Sequence, residues 1–274
     1  MISVLIDKTQ GEKMKKLLAV LLAVTMLITL GACTKEEEPT VDPEPETTDD
    51  VVVMSYDEYC AAEIGAEVTI EGYVQATQSY YNGATLYLAD GDHGAYFIYN
   101  GSISEEDFAK LGVSTEYGEG WTGVCNSGVK VRVTGYKSEY AGEIEIADTT
   151  EVTVIEGEGM YAFPDDVTAL VGTDELADHM NECVEFTSMT IVAQDDGNAF
   201  NYKSSAGDDL YFAAEDANGN RVDFCVESYL TYDGSDVYEY VENELQVGDV
   251  VDITGFLYWY NGANPHVISV AAAE

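Results

Sequence analysis

The sequence predicts an all-β protein with a few short helices, arranged as two tandem five-stranded barrels. Strand-forming residues are abundant, with 20 tyrosines against eight phenylalanines and two tryptophans. The apolar runs are short and alternate with polar residues, which is typical of strands with one buried face. A Val-x-Val-Thr-Gly-Tyr segment at 131–136 returns as Val-x-Ile-Thr-Gly-Phe at 251–256. This recurrence indicates that one structural unit occurs twice.

The first unit begins with a capping box, Ser55 followed by Glu58, which predicts a helix over 56–62. A second short helix begins at Ser104 and ends near 112. Five strands are predicted in this half, at 68–75, 85–89, 95–100, 129–137 and 143–148, the last extended by 152–155. Three strands, a helix and two strands are the order of the OB-fold barrel.

The second unit follows the same plan. Helices are predicted over 173–180 and, capped by Ser235, over 235–245. Its strands are predicted at 183–193, 209–214, 221–227, 250–257 and 265–270, with Asn218-Gly219 as a hairpin turn. In each unit a Tyr-x-Gly follows the Thr-Gly-aromatic motif, at Tyr140 and at Tyr260. We therefore place the OB-like domains at 51–157 and 158–274.

The segments at 67–75, 85–100 and 130–148 resemble OB-like domains of secreted lipoproteins from Firmicutes-type bacteria. The second domain is similar to them more loosely. Such domains are mostly of unknown function, so the resemblance implies a fold and a location but no activity.

The N-terminal segment predicts secretion. Met14-Lys15-Lys16, which we take as the true start, precedes an apolar run over 17–30 that is shorter than the roughly 20 residues of a spanning helix. Leu30-Gly31-Ala32-Cys33 follows and resembles the bacterial lipobox. The resemblance implies cleavage after residue 32, lipid on Cys33 and an extracytoplasmic, membrane-anchored location. Residues 33–50 are acidic and proline-bearing, which predicts a disordered linker.

Charge and cysteines limit the partners. With 52 acidic residues, 11 basic residues and a net charge of −41, the chain repels phosphate backbones. Nucleic acid is therefore disfavoured as a partner.

The mature chain keeps Cys60 and Cys125 in the first half, and Cys183 and Cys225 in the second. They permit one disulfide in each half, or four free thiols.

No motif predicts an enzyme, a cofactor or a metal centre. The chain has no CxxC, no histidine pair at ligand spacing and no G-x-S-x-G serine. Residues 216–220 begin like a calcium loop, but Arg221 stands where an EF-hand has glycine and strands flank the turn. A plain Asn-Gly hairpin is favoured there.

Aromatic residues mark the candidate site. OB-folds bind ligands with the loops that join strands one to two and four to five, and those loops carry Tyr80, Tyr81, Tyr140, Tyr258, Trp259 and Tyr260. These rings could stack on a sugar, or they could cap the barrels or pack between the domains.

We therefore predict a lipid-anchored, non-catalytic binding module whose ligand is a glycan. The partners are then the membrane, through the lipid, and a carbohydrate or a surface protein. The alternatives are an assembly lipoprotein that binds a protein partner and an accessory domain of an extracellular nucleic-acid-processing system.

Overall fold

The computed structural model describes residues 51–78, 83–91, 94–112, 128–155, 157, 159–232 and 234–273. The predicted signal segment, Cys33 and the acidic linker lie outside these residues, as do Tyr80, Tyr81 and Cys125. Within the described ranges, no helix has the length and apolar character needed to cross a membrane.

The first barrel consists of β1 (Glu67–Thr77), β2 (Ala84–Ala89), β3 (Ala95–Gly101), β4 (Lys130–Tyr140) and β5 (Glu143–Ile155). The strands close in the order β1-β2-β3-β5-β4, with β3 and β5 parallel and the other neighbours antiparallel. Helix α1 (Tyr56–Ala61) precedes the barrel, and α2 (Glu105–Lys110) follows β3.

The alternation that predicts β1 also fills the barrel. Val68, Ile70 and Val74 are almost fully buried in one apolar cluster, whereas Thr69, Glu71 and Tyr73 on the other face are partly exposed. Ser55 caps α1 as predicted: its Oγ accepts from the Glu58 N–H at 3.3 Å, and a Glu58 carboxylate oxygen accepts from the Ser55 N–H at 2.8 Å.

The second barrel has the same topology. Its strands β7, β9, β10, β11 and β12 close in the order β7-β9-β10-β12-β11, with β10 and β12 parallel, while the short β6 and β8 add at the edges. The strands are β6 (Asp165–Asp166), β7 (Cys183–Val192), β8 (Phe200–Tyr202), β9 (Leu210–Glu215), β10 (Arg221–Val226), β11 (Val250–Phe256) and β12 (His266–Ala272).

Helices α3 (Ser228–Thr231) and α4 (Asp236–Asn243) stand between β10 and β11. The helix predicted over 173–180 is instead a 3-10 helix over Asp174–His179, preceded by another over Thr168–Leu170. Short runs of 3-10 geometry are usual where a connecting segment is too brief for a full α-helical ladder.

The repeated glycine has the same structural role in both barrels. A Cβ on Gly135 would lie 2.8 Å from Ile146 Cγ2, and a Cβ on Gly255 would lie 2.5 Å from the His266 carbonyl oxygen. At both places the pairing between the fourth and fifth strands shifts its register. Glycine therefore permits the close strand approach at a bend that a small barrel needs. The predicted all-β class with two OB-type barrels is confirmed.

An apolar seam joins the barrels. Ala76, Tyr87 and Phe97 of the first barrel form one buried cluster with Leu230 and Phe256 of the second. The Tyr87 ring stacks on Phe256 with centroids 4.5 Å apart. This buried contact fixes how the two barrels lie relative to each other.

Candidate ligand-binding cleft

A cleft of about 790 Å³ lies where the two barrels meet. The second barrel lines it with Tyr211 of β9, Asp223 and Cys225 of β10, and the loop between β11 and β12. The first barrel adds Phe97, Tyr99 and Tyr140 from β3 and the end of β4. Strands two and three and the loop between strands four and five are where OB-folds bind ligands. In each barrel, the surface that corresponds to the ligand-binding face of OB-folds therefore lines part of this cleft.

Tyr140 and Tyr260 form an exposed aromatic pair at this cleft. Their ring centroids are 6.2 Å apart, and each residue keeps more than half of its surface exposed, 57% and 53%. Each tyrosine stands at the equivalent loop of its own barrel. The sequence places the two residues in separate domains, and the structure brings them together.

Tyr258 and Trp259 connect the barrels. The Tyr258 ring stacks on His266 at 4.4 Å and meets the Phe97 ring edge-on at 5.3 Å. The backbone N–H of Trp259 donates a hydrogen bond to Glu143 Oε2 at 2.7 Å. Of the predicted aromatics, these two thus pack between the domains, while Tyr140 and Tyr260 face outward.

The two hairpin loops also contact each other through the backbone. The Asn261 N–H donates to the Ala141 carbonyl oxygen at 2.7 Å. Gly142 has φ +93°, and a Cβ there would lie 2.8 Å from Trp259 Cδ1. The Tyr-x-Gly that follows each Thr-Gly-aromatic motif therefore belongs to a contact between the two repeats.

Acidic groups in the cleft have different surroundings. Asp209 is buried: one oxygen accepts from Lys203 Nζ at 2.9 Å, and the other accepts from the Ser228 N–H and hydroxyl. Asp223 is paired with Arg221 at 2.8 Å. Sequence reasoning missed these residues, because nothing in their local pattern separates them from the other acidic residues.

Glu227 differs from both of its neighbours. Its Oε2 is buried and has no hydrogen-bond partner among the described residues. Burial, with a further contribution from Asp209, raises the pKa of this carboxyl group to about 8. The raised pKa therefore favours the protonated form of Glu227 at neutral pH.

A second buried carboxyl group lies at the contact between the barrels. Glu143 is fully buried, and burial raises its pKa to about 8, although the hydrogen bond from the Trp259 backbone N–H and the nearby Asn181 side chain act against the rise. Nearby, burial lowers the pKa of His266 to about 4, so its ring is neutral. His266 Nδ1 hydrogen-bonds the Tyr87 hydroxyl group at 2.6 Å.

The described part of the chain holds no group of three or more acidic, histidine or cysteine side chains that could bind a metal. Residues 216–220 form the hairpin between β9 and β10, where Asp216 Oδ1 accepts from the N–H groups of Asn218 and Asn220 at 2.8 Å. Cys60, Cys183 and Cys225 are free thiols in the structure.

No protein-family model matches the chain, and no curated protein matches it. Solved structures do match, at low identity. A murine DNA-binding protein bound with double-stranded DNA is 9% identical with a TM-score of 0.31, covering 75% of this chain and 96% of its own. The p204 HINb domain is 8% identical with a TM-score of 0.32, covering 77% of this chain and 99% of its own. A Replication Protein A heterotrimer bound to single-stranded DNA is 9% identical with a TM-score of 0.26. That match covers 81% of this chain and 69% of the Replication Protein A chain.

These matches correct one prediction. Nucleic acid was disfavoured as a partner on net charge, a prediction that is contradicted by the presence of DNA-bound proteins among the matched structures. Net charge is a property of the whole chain, whereas binding depends on one local face. The chain is similar to these proteins in its OB-type architecture.

Proposed function

We propose that this chain is a lipid-anchored, extracytoplasmic protein that binds a glycan in the cleft between its barrels and does not transform it. The observation that carries the proposal is the meeting of two OB ligand faces around the exposed pair Tyr140 and Tyr260. A pair of tilted rings from two different domains offers a ligand two stacking surfaces at once.

The polar groups beside these tyrosines suit a sugar. Gln78, Asn261 and Asn264 line the same cleft and carry amide groups that can donate to and accept from hydroxyl groups. A sugar ring presents an apolar face to an aromatic ring and hydroxyl groups at its edge. The cleft therefore matches both kinds of surface on one ligand.

The location in this proposal depends on the lipobox-like segment that ends at Cys33. Lipid at Cys33 would hold the chain on the membrane. The acidic residues between 34 and 50 would repel each other and keep the linker extended. The cleft would then stand away from the bilayer, where a glycan can reach it.

The absence of a chemical step is part of the same proposal. Asp209 is held by Lys203 and Ser228, and Asp223 is held by Arg221. These contacts give both carboxylates a structural task, and the proposal assigns no reaction to them.

The test uses the full chain, purified in a detergent without sugar groups. A glycan array identifies a ligand, and calorimetry then measures its dissociation constant. Tyr140→Ala and Tyr260→Ala should each weaken binding by about three- to tenfold, because each removes one stacking surface. The matched control is Tyr136→Ala, an exposed tyrosine of β4 that does not line the cleft.

Two results would contradict the proposal. One is that no glycan binds at millimolar concentration. The other is that oligothymidylate binds instead and loses affinity in Tyr140→Ala, which would assign the cleft to single-stranded nucleic acid.

A further inference from the structure

Glu227 is a carboxyl group that lines the cleft and forms no ion pair with any residue that the structure describes. Its Oε2 is buried and makes no hydrogen bond with any described residue. The N–H groups of Tyr229 and Leu230 lie close enough to favour its ionised form, yet they do not cancel the effect of burial. Buried polar atoms in native proteins are nearly always partnered, so this unpartnered oxygen, on a residue that lines the cleft, indicates that Glu227 can take up a further partner.

The neighbouring charges cannot supply that partner. Lys203 is the one lysine lining the cleft within the described residues, and its Nζ is bound to Asp209 Oδ2 at 2.9 Å. Arg221 is bound to Asp223 at 2.8 Å. Asp209 adds negative charge beside Glu227 rather than compensating it. Lys203 acts on Glu227 in the opposite sense to Asp209 but more weakly, so the negative charge of Asp209 favours a cation beside Glu227.

The aromatic walls of the cleft favour the same kind of group. Tyr211 and Tyr258 are half-buried and line the cleft together with Glu227. The faces of tyrosine rings attract ammonium groups, and the attraction grows when the cation is removed from water. A carboxyl group beside two tyrosine rings is a suitable site for an organic cation.

We propose that the inner end of the cleft binds a protonated primary amine of the ligand through Glu227, so that the ring ligand is an amino sugar. This inference rests on the proposed function, because it assigns the sugar ring to the Tyr140 and Tyr260 pair and the amine to Glu227.

Binding of the amine releases one proton. Without a bound amine, the raised pKa of Glu227 favours the neutral carboxylic acid at neutral pH. When the ammonium group arrives, it stabilises the carboxylate, and the carboxyl proton leaves to solvent while the amine keeps its own. The titratable groups that act on or respond to Glu227 are Asp209, Lys203, Tyr87, Tyr211 and Cys225.

The experiment compares three β-1,4-linked disaccharides that differ at one carbon, which bears a hydroxyl, an N-acetyl or a free amino group. Calorimetry uses the full chain in sugar-free detergent at about pH 6.5, below the pKa of Glu227. The amino form should bind about tenfold more tightly than the other two. Repeating the titration in buffers of different ionisation enthalpy should show proton release for that form alone.

Variants locate the effect. Glu227→Gln keeps the shape of the side chain and should remove both the preference and the proton release, while the hydroxyl form still binds. Glu244→Gln removes an exposed carboxylate that does not line the cleft, so the preference should persist. This control distinguishes a local effect from general attraction to an acidic protein.

The outcomes separate the two proposals. Equal binding of all three sugars, or a preference that survives in Glu227→Gln, overturns the amine site and leaves glycan binding standing. Tighter binding of the N-acetyl or hydroxyl form means that Glu227 donates a hydrogen bond instead, and it also overturns the amine site. No binding of any sugar overturns the proposed function itself.

Discussion

At the scale of single residues, the chain spreads its acidic groups over its surface and buries a small number of them between the barrels. Glu143 is fully buried, Glu145 is nearly so, and burial raises the pKa of both. Glu143 Oε2 accepts from the Trp259 N–H, and its Oε1 has no partner among the described residues. A carboxyl group in this position is stable while it is protonated and costly when it ionises.

Glu143 should therefore make stability fall as the pH rises. Its pKa is about 8 in the folded chain and near 4.5 when exposed. Between these values the unfolded chain has lost a proton that the folded chain keeps, so the free energy of unfolding decreases through this window. The loss is fully present only above pH 8, and Glu227 adds to it in the same window.

Urea unfolding at about pH 5 and pH 8 measures this effect. Glu143→Gln should reduce the difference in unfolding free energy between the two pH values by on the order of 3 kcal/mol. Glu244→Gln, at an exposed position, should leave the difference nearly unchanged. If both variants keep the wild-type difference, Glu143 does not ionise in this range.

At the scale of elements, short helices depend on contacts from strands. Helix α1 has six residues, too few to be stable alone. Ser55 caps its beginning, and Lys137 of β4 caps its end: Nζ donates to the carbonyl oxygens of Tyr59, Cys60 and Ala62 at 2.9, 2.9 and 3.0 Å. The amino group also lies 4.9 Å from the Tyr59 ring centroid.

Lys137→Met should lower the free energy of unfolding by about 2–3 kcal/mol, because three carbonyl groups lose their donor in a buried place. Lys130→Met is the control, since Lys130 forms a more exposed ion pair with Glu71 at 2.7 Å. That variant should lose less than about 1 kcal/mol. If the two variants lose equal unfolding free energy in urea, Lys137 stabilises the chain no more than the exposed ion pair of Lys130 does.

Gly142 tests the contact between the two hairpin loops. Alanine at this position must adopt φ +93° and places its Cβ against Trp259. Gly65 has φ +87° with no atom within 4 Å of an added Cβ, so Gly65→Ala meets the backbone cost alone. Gly142→Ala should therefore be less stable than Gly65→Ala by about 1–2 kcal/mol in thermal or urea unfolding. Equal stabilities would mean that the loops separate without cost.

At the scale of the whole molecule, one cleft forms between two barrels that share an apolar contact. Tyr87 stacks on Phe256, and its hydroxyl group satisfies the buried His266. This contact allows equivalent loops of two repeats to meet, so the cleft belongs to neither barrel alone. The proposed lipid at Cys33 would then attach the whole assembly to a membrane.

Cys33→Ala should prevent acylation, because no other residue supplies the thiol at the lipobox position. Cells fed a labelled fatty acid should label the wild-type chain and leave the variant unlabelled, and the variant should appear in the medium or keep its signal segment. Cys60→Ala, at an exposed cysteine of α1, should label like the wild type. Labelling of Cys33→Ala would contradict the lipobox interpretation.

Much of the fold can be predicted from the sequence, because alternation, caps and turn residues act over short distances. Val68, Ile70 and Val74 indicate β1, Asn218-Gly219 indicates the hairpin, and the repeated Thr-Gly-aromatic indicates two similar barrels. The tyrosines of the candidate site can be predicted from the same strand order. That order shows which loops of this chain correspond to the ligand-binding loops of OB-folds.

The joining of those loops into one cleft depends on residues far apart in the chain. Tyr140 and Tyr260 meet because contacts between the barrels, among them the buried cluster with Tyr87 and Phe256, hold the two loops together. Glu143 and Glu227 acquire their raised pKa values from the same burial, which no local pattern records. Local pattern determines where strands begin and end, whereas desolvation and contact between distant elements decide which side chains form a site.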